Sequence, residues 1–268
     1  MNKELKNEAV IQFSGGIDSL YVAYMLAQKY DRIHLLTFYK GYLHFGLNFS
    51  EPNIKNLKRL FGEDKIVFKV VNMKSLFKKM AVKNFFKDLK KFGNEISWCI
   101  PCRASMTIMS IIYAIENGIR DFTDGANWEQ APDQENLLTT ADNYPGYLKL
   151  LREFSKTYNV NYFSPVYNLN TRKERRDLLL EKGFYIDWNS LDVEKPKSLK
   201  NFVKKDFYKR YQPMCISGWL IHWKRNLFNK KEDVSEEKVL DLVEPKLRNI
   251  GKEFIKDCLS QKKKKFLL

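Results

Sequence analysis

The chain has 268 residues, with 47 lysines and arginines against 32 aspartates and glutamates, giving a formal net charge of +15. This length can bury a sizeable core as a domain with an appendage, and the charge surplus favours polyanionic partners such as RNA, although lysine-rich composition can also serve solubility alone. The N-terminus has no signal-peptide core and the longest apolar run, near residues 106–115, is too short to cross a bilayer, so we predict a cytoplasmic protein with no membrane partner.

Alternating strand-like and helical patterns organise the first two-thirds of the chain. The predicted elements are a strand at 9–13, a helix at 18–30, a strand at 32–39, a helix at 51–61 and a strand at 65–72. This βαβαβ order predicts a parallel sheet, because parallel neighbours need crossover helices.

The pattern changes after the third strand. Residues 74–94 are rich in lysine and phenylalanine and lack strand alternation, which predicts a mobile helical excursion. The elements predicted after it are a buried helix at 103–117, strands at 121–124 and 161–166, a helix at 171–182, and C-terminal helices at 199–211, 216–228 and 235–261. We therefore predict an α/β domain over residues 1–190, with an open parallel sheet and helices on both faces, and a helical C-terminal region over 191–268.

The hexapeptide Ser14-Gly15-Gly16-Ile17-Asp18-Ser19 lies between the first strand and the first helix. Two glycines let backbone N–H groups approach an anion, and the helix N-terminus adds partial positive charge. Ser14 and Ser19 can add hydroxyl donors, whereas Asp18 would repel a phosphate and is better suited to hold a phosphate-bound magnesium ion. No Walker-type Lys-Ser or Lys-Thr follows the glycines. The motif predicts a pyrophosphate cradle, and a tight turn with a serine cap is the alternative.

This hexapeptide resembles the signature of the PP-loop ATP pyrophosphatases, which split ATP to AMP and pyrophosphate by adenylating a substrate oxygen. The resemblance spans roughly the first 190 residues. It implies a Rossmann-like fold of the HUP/PP-loop type, with ATP and Mg²⁺ as ligands, and it identifies the ATP chemistry better than the acceptor.

Two further segments are expected to complete the nucleotide site. Ligands of open parallel sheets lie beyond the C-terminal strand ends, which places Thr37 and Phe38 near an adenine, with ordinary core packing as the alternative. Residues 124–127, Asp-Gly-Ala-Asn, are similar to the second family motif, so Gly125 and Asn127 are expected at the nucleotide.

The second motif departs from the family pattern. Ala126 stands where a threonine is common, and Glu129-Gln130 stands where paired aspartates are common. The magnesium or acid/base residue is therefore open among Asp124, Glu129 and Asp133, and we select Asp133 as catalytic.

Residues 164–166 and 171–176 resemble the Ser-Pro-Leu and Lys-x-Glu-x-Arg stretch that closes many of these domains. Arg172 and Arg176 are four residues apart on a predicted helix and share a face that could meet phosphate or RNA. Glu174 is expected to pair with a basic neighbour.

Three cysteines point to the group that is transferred. Cys99 and Cys102 form a Cys-x-x-Cys pair, and Cys215, at the start of a predicted helix, follows 113 residues later. A thioredoxin motif would instead follow the first strand of its own small fold. The spacing resembles the PP-loop sulfur transferases, including tRNA thiolases and the nickel-pincer-nucleotide sulfur transferase, in which three thiolates hold a 4Fe-4S cluster and one iron is open to sulfide.

Soft thiolate donors match iron, so a cluster at Cys99, Cys102 and Cys215 is the preferred reading. Zinc is the chief alternative, with His222 or Cys258 as the fourth ligand. A persulfide or redox pair and inert buried thiols also stay open. His44 lies in a predicted loop without an obvious partner.

The resemblance implies that an acceptor oxygen attacks the α phosphate of ATP, pyrophosphate leaves, and sulfide or persulfide at the three cysteines then replaces AMP. The expected acceptor is tRNA or a small nucleotide, the sulfur source is a donor protein or sulfide, and a homodimer is a possible assembly. A second hypothesis transfers nitrogen, as in the deazaguanine synthases, whose usual four clustered cysteines hold zinc. A third is a non-catalytic RNA-binding protein.

Overall fold

The computed structural model describes residues 6–130, 141–186, 211–217 and 234–260. Its first half contains β1 (Lys6–Gln12), α1 (Ile17–Ala27), β2 (Arg32–Tyr39), β3 (His44–Phe45), α2 (Glu51–Phe61), β4 (Ile66–Asn72), α3 (Lys74–Phe77), a π-helical stretch (Lys78–Val82) and α4 (Phe85–Phe92). The second half contains α5 (Asn94–Asn117), β5 (Ile119–Thr123), α6 (Pro145–Lys156), β6 (Asn161–Phe163), α7 (Arg172–Glu181), β7 (Met214–Cys215), α8 (Glu236–Lys246), a second π-helical stretch (Leu247–Gly251) and α9 (Lys252–Ser260).

Five of the strands form one parallel sheet in the order β4-β2-β1-β5-β6. The chain runs outward from β1 to β4 in one direction and from β5 to β6 in the other. The order therefore reverses between β1 and β5, which is where open α/β sheets bind their ligands. The predicted parallel sheet is confirmed, and the 14–19 hexapeptide follows β1 at this switch point.

Helices cover both faces of the sheet, as predicted. Side chains of β1 alternate, so Val10 joins the core cluster under α5 while Ala9 and Ile11 join the cluster under α1, α2 and α7. Both cores consist of fully buried aliphatic and aromatic side chains. The site at the strand ends is thus held by packed helices on either side.

Helix α5 differs from the prediction in where it begins. It starts at Asn94 rather than at residue 103, so the Cys-x-x-Cys pair lies inside the helix with Pro101 between the two thiols. Its length and mean hydropathy of 1.4 would suit a membrane span, but 67% of its apolar window is buried within the protein. We interpret α5 as a core helix, longer than the apolar run noted in the sequence.

The C-terminal region is helical where it is described beyond residue 233. Helices α8 and α9 replace the single helix predicted at 235–261, and they pack against α5 in the same core cluster. The helices predicted at 199–211 and 216–228 lie almost entirely outside the described residues. Cys215 ends the short strand β7, which pairs antiparallel with β3 and places His44 opposite Cys215. Residues 216–217, directly after it, are helical, so the position of Cys215 at the start of a predicted helix is confirmed.

Candidate functional site

The 14–19 hexapeptide forms a tight loop into α1. Gly15 has a positive φ of 74°, which favours glycine. Ser14 and Ser19 tie the loop together, because their hydroxyl oxygens lie 3.0 Å apart and Gly16 N donates to Ser14 Oγ at 3.3 Å. Gly16 is the N-cap of α1 and, having no side chain, leaves the first amides of the helix without a side-chain cap from the N-cap residue. The first amides of α1 are therefore oriented toward any anion bound at the loop.

A cavity of about 410 Å³ opens at this loop. Ser14, Gly16, Asp18 and Ser19 line it together with Thr37 and Phe38 from the end of β2. The structure thus brings the predicted phosphate-binding loop and the predicted adenine-contacting residues to one cavity. The cavity is also lined by His44, Arg103, Asp124, Gly125, Arg172, Gln212 and Cys215.

The second motif packs directly on the start of α1. A Cβ atom at Gly125 would lie 2.8 Å from Ser19 N and 3.0 Å from Asp18 Cβ, so only glycine fits. Asn127 is fully buried; its Oδ1 accepts from Gln130 N at 3.2 Å, and its Nδ2 has no hydrogen-bond partner in the part of the chain that the structure describes. Asp133, selected from the sequence as catalytic, lies outside the described residues.

Asp18 faces a buried arginine that the sequence analysis did not single out. Arg175 is fully buried, and its Nε lies 3.0 Å from Asp18 Oδ1. The same guanidinium donates from Nη2 to Glu129 Oε2 at 3.0 Å. Burial raises the pKa of Asp18 above its ordinary value, and the positive charges of Arg175 and Arg172 offset only part of that rise.

Asp124 is engaged by neighbouring side chains. Arg103 and Tyr162 both contact its Oδ2, and Ser164 Oγ donates to its Oδ1 at 3.1 Å. Ala126 N also donates to this Oδ1, at 2.9 Å. Asp124, which lines the cavity, and Glu129 therefore each have a cationic partner in the structure.

The segment 171–176 contributes one cationic side chain to the cavity and one cap to the start of α7. Arg172 lines the cavity, and its backbone N–H donates to Glu129 Oε2 at 2.6 Å. Arg176 instead contacts Asp177 at 3.0 Å. Glu174 was expected to pair with a basic side chain, but it forms a capping box with Thr171. The Thr-x-x-Glu spacing at 171–174 is the sequence signal for this cap.

The segment 211–217 carries the third thiol across the loop. A Cβ atom at Gly15 would lie 2.7 Å from Tyr211 O, and one at Gly16 would lie 2.6 Å from Gln212 Oε1. Cys215 in β7 then lines the same cavity as the loop. The described structure therefore unites a C-terminal thiol with a motif about 200 residues earlier in the chain.

The three thiols of Cys99, Cys102 and Cys215 lie close enough together to interact electrostatically. Burial raises the pKa of the Cys99 thiol well above its ordinary value and that of Cys102 to about 11, and the neighbouring thiols add to the rise at both. Cys258 is buried in α9 against the main core and belongs to no such group in the described structure.

Lys40 supplies the positive charge of this group. Its Nζ donates to Cys215 Sγ at 3.0 Å and lies 5.2 Å and 5.4 Å from the ring centroids of Phe77 and Trp98. Only 3% of the residue is exposed. Burial alone would lower the pKa of Lys40, but the charges of Cys102, Cys215 and Cys99 and the hydrogen bond to Cys215 more than compensate, so the pKa is raised.

His44 is the neutral group beside this charge. Burial, with a further contribution from Lys40, lowers its pKa to about 4, and its Nδ1 is buried without a hydrogen-bond partner among the described residues. Trp98 Nε1 donates to Ser217 Oγ at 3.1 Å, which fixes the strand that carries Cys215 against α5.

The donor set of the thiol group suits a soft metal by chemical type, because thiolates prefer iron, zinc and copper(I). In the described ranges, however, no three His, Cys, Asp or Glu side chains are arranged to hold a metal ion. His222, one of the two suggested fourth zinc ligands, lies outside them, and Cys258, the other, packs elsewhere.

Comparison with known proteins agrees with this geometry. A family model described as "Queuosine biosynthesis protein QueC" matches residues 8–176. No curated protein sequence matches the chain.

The chain also resembles several solved structures, three of which follow. The first is "Crystal structure of a 4-thiouridine synthetase - RNA complex with bound ATP", with a TM-score of 0.54 and 18% identity, covering 93% of this chain and 53% of that one. The second, a "predicted subunit of tRNA methyltransferase" from Methanocaldococcus jannaschii, has a TM-score of 0.39 and 20% identity, covering 67% and 76%. The third, an NMN synthetase from Francisella tularensis, has a TM-score of 0.42 and 13% identity, covering 91% and 86%. The 4-thiouridine synthetase shares the fold of this chain, and this chain spans about half of the length of that protein.

Proposed function

This chain belongs to the QueC family, and with it to the PP-loop ATP pyrophosphatase superfamily, and we propose that it adenylates an oxygen of a nucleotide or tRNA acceptor and then replaces that oxygen with sulfur. The observation that carries the proposal is Cys215, which lines the same cavity as the Ser14–Ser19 loop. Adenylation occurs at the acceptor oxygen and sulfur addition at the carbon that bears it, so ATP and the sulfur nucleophile must reach the acceptor in one cavity.

The first step uses the loop at the start of α1. The β and γ phosphates of ATP bind the loop amides and the hydroxyls of Ser14 and Ser19, while the adenine rests at Thr37 and Phe38. A carbonyl oxygen of the acceptor attacks the α phosphorus, and pyrophosphate leaves. Asp18 is our candidate for holding Mg²⁺, which would neutralise charge developing on pyrophosphate. Arg172 lines the same cavity and adds a fixed positive charge.

The second step replaces AMP. A hydrosulfide ion adds to the activated acceptor carbon, the carbon–oxygen bond breaks, the oxygen leaves with AMP, and a carbon–sulfur double bond remains after loss of one proton. Lys40 and the three partly buried thiols provide a cationic, soft-donor environment for the sulfur nucleophile. An iron–sulfur cluster at these thiols, as the sulfur transferase resemblance implies, would supply an iron that carries sulfide.

The test is an anaerobic reaction of the full chain with ATP, Mg²⁺, sodium sulfide and bulk tRNA, with pyrophosphate and thionucleosides measured in the same samples. We expect Asp18→Asn to lose both products and Cys215→Ala to lose the thionucleoside while retaining pyrophosphate release. Cys258→Ala is the matched control and should retain both. No new thionucleoside in tRNA, or in a mononucleotide pool tested in parallel, would refute the sulfur step.

The family match itself favours a second candidate, in which nitrogen adds to the acceptor carbon that bears the adenylated oxygen and AMP leaves with that oxygen. This candidate predicts a zinc site at the cysteines, colourless protein, and product formation with ammonium in place of sulfide. Metal and acid-labile sulfide analysis of anaerobically purified protein separates the two candidates, since a cluster contains iron and sulfide in equal amounts.

A further inference from the structure

Residues 74–92, which we call the basic excursion, form an unusually charged wall beside the thiol group. Within it, only Asp88 is acidic. Asp88 is buried and forms an ion pair with Lys246 Nζ of α8 at 2.5 Å, and Lys246 also donates to Met80 O at 2.6 Å. The one carboxylate of the basic excursion is therefore neutralised by a lysine of α8, and this ion pair attaches the excursion to the core.

The lysines of the basic excursion are oriented outward. Six of them are exposed, and none has an acidic partner within the described parts of the chain: Lys74, Lys78, Lys83, Lys87, Lys90 and Lys91. A seventh, Lys79, lies 5.6 Å from the ring centroid of Phe254. Uncompensated like charges on one surface repel each other, so this surface is most stable with a polyanion bound.

An exposed aromatic ring stands among these lysines. Phe86 is 83% exposed, the largest exposure of any large hydrophobic residue in the described structure. In α4 it lies four residues before Lys90 and therefore on the same helix face. One exposed ring within a lysine-rich surface is the arrangement that binds single-stranded nucleic acid, with the base stacked and the backbone neutralised.

A chain of aromatic contacts connects this surface to the thiol group. The rings of Phe86 and Phe85 are 5.7 Å apart, those of Phe85 and Trp98 are 5.3 Å apart, and Trp98 precedes Cys99 in α5. Phe85, Cys99 and Cys102 pack in the same small cluster. A polymer bound on the basic excursion would thus lie next to the thiols.

We propose that the basic excursion is the docking surface for a single-stranded segment of RNA, which makes the acceptor a nucleotide within a polynucleotide rather than a free nucleotide. The identification of this RNA as the acceptor rests on the proposed function, whereas the binding itself does not. A membrane surface is less suitable, because one isolated phenylalanine provides little apolar area for insertion.

The experiment measures binding of a fluorescein-labelled single-stranded RNA to the full chain, without ATP, over a series of salt concentrations. We expect the triple variant Lys83→Gln, Lys87→Gln, Lys90→Gln to bind at least about tenfold more weakly and to reduce the slope of log K against log salt by about 2, since each phosphate contact contributes about 0.7. Phe86→Ala should weaken binding roughly fivefold or more with little change in slope, because stacking carries no counterion release.

The control triple Lys29→Gln, Lys69→Gln, Lys156→Gln removes the same charge from exposed lysines outside the basic excursion. It should change affinity by no more than about twofold if contacts rather than net charge bind RNA. Equal losses in the two triples, an unchanged Phe86→Ala, or absent RNA binding would overturn the proposal, and so would vesicles of anionic phospholipid that displace the RNA. Pyrophosphate release by the same variants with a free nucleotide acceptor reports separately on the proposed function.

Discussion

The guanidinium of Arg175 lies 3.0 Å from the carboxylate of Asp18, and both side chains are largely withdrawn from solvent. Asp18 opens α1 at the cavity, whereas Arg175 belongs to α7, which packs against α1. The contact therefore fixes the predicted magnesium-binding carboxylate from the opposite helix, and the two residues have different expected roles.

Asp18→Asn should separate function from stability. We expect pyrophosphate release to fall by about a hundredfold or more, because the carboxylate proposed to hold Mg²⁺ at the phosphates is lost. Iron or zinc content should be unchanged, since Asp18 is not one of the proposed ligands of iron or zinc. Retained turnover in this variant would mean that the magnesium is held by another carboxylate.

The pH dependence of stability tests the same residue independently. Burial raises the pKa of Asp18 above 3.8, so its contribution to stability is fully present below that value and is lost as pH rises through the raised pKa. Relative to Asp18→Asn, the wild type should therefore lose unfolding free energy as pH rises above 3.8 and through the raised pKa. Urea unfolding of both proteins measures the difference, and a gain by the wild type over this window would contradict the raised pKa.

Arg175→Met should be a stability variant. Its guanidinium faces Asp18 and Glu129 and donates to Leu169 O at 2.8 Å and Asn170 O at 2.7 Å, so its removal leaves buried charge and buried carbonyls without partners. We expect a loss of about 3 kcal/mol in unfolding free energy. The matched control is the exposed Arg152→Ala on α6, which should change stability by less than about 0.5 kcal/mol. Comparable losses in the two variants would show that burial of Arg175 is not responsible.

The elements with regular patterns were predictable from the sequence. The predicted bounds of β2 and α2 agree with the observed Arg32–Tyr39 and Glu51–Phe61, because a continuous apolar run and a clear helical period mark them. The position of the hexapeptide between the first strand and the first helix was predicted, whereas its place at the strand switch depends on the order of the strands in the sheet. The contacts of Arg175 could not be predicted, because its partners Asp18 and Glu129 lie 157 and 46 residues away and its helix has the composition of a charged surface helix.

The β3–β7 pairing was not predictable, for a related reason. Each strand has two residues, too few to show alternation, and their pairing depends on a long-range contact. Lys40 and Cys215 are 175 residues apart, so the sequence identified the thiol but not the ammonium beside it.

Lys40→Met should reduce the reactivity of Cys215. The ammonium donates to Cys215 Sγ at 3.0 Å and favours the thiolate, which is the form that reacts with alkylating agents. We expect alkylation of Cys215 by iodoacetamide in the metal-free protein to slow by about tenfold, corresponding to loss of one charge-assisted hydrogen bond. Lys40→Arg should restore part of the rate, and Cys258 in the same digests should react equally in all proteins. An unchanged Cys215 rate in Lys40→Met would show that this hydrogen bond does not influence the thiol.

His44→Gln should remove one pH-dependent contribution to stability. In the folded protein the pKa of His44 is lowered from 6.5 to about 4, because the imidazole is buried and Lys40 lies nearby. Below about pH 6.5 the unfolded chain therefore binds a proton at His44 that the folded chain does not bind. The stability that is present above that pH is lost as pH falls toward about 4. Urea unfolding at about pH 7, 6 and 5 should show a steeper decline for wild type than for His44→Gln. Parallel curves for the two proteins would mean that His44 is solvated and that the β3–β7 pair does not enclose it.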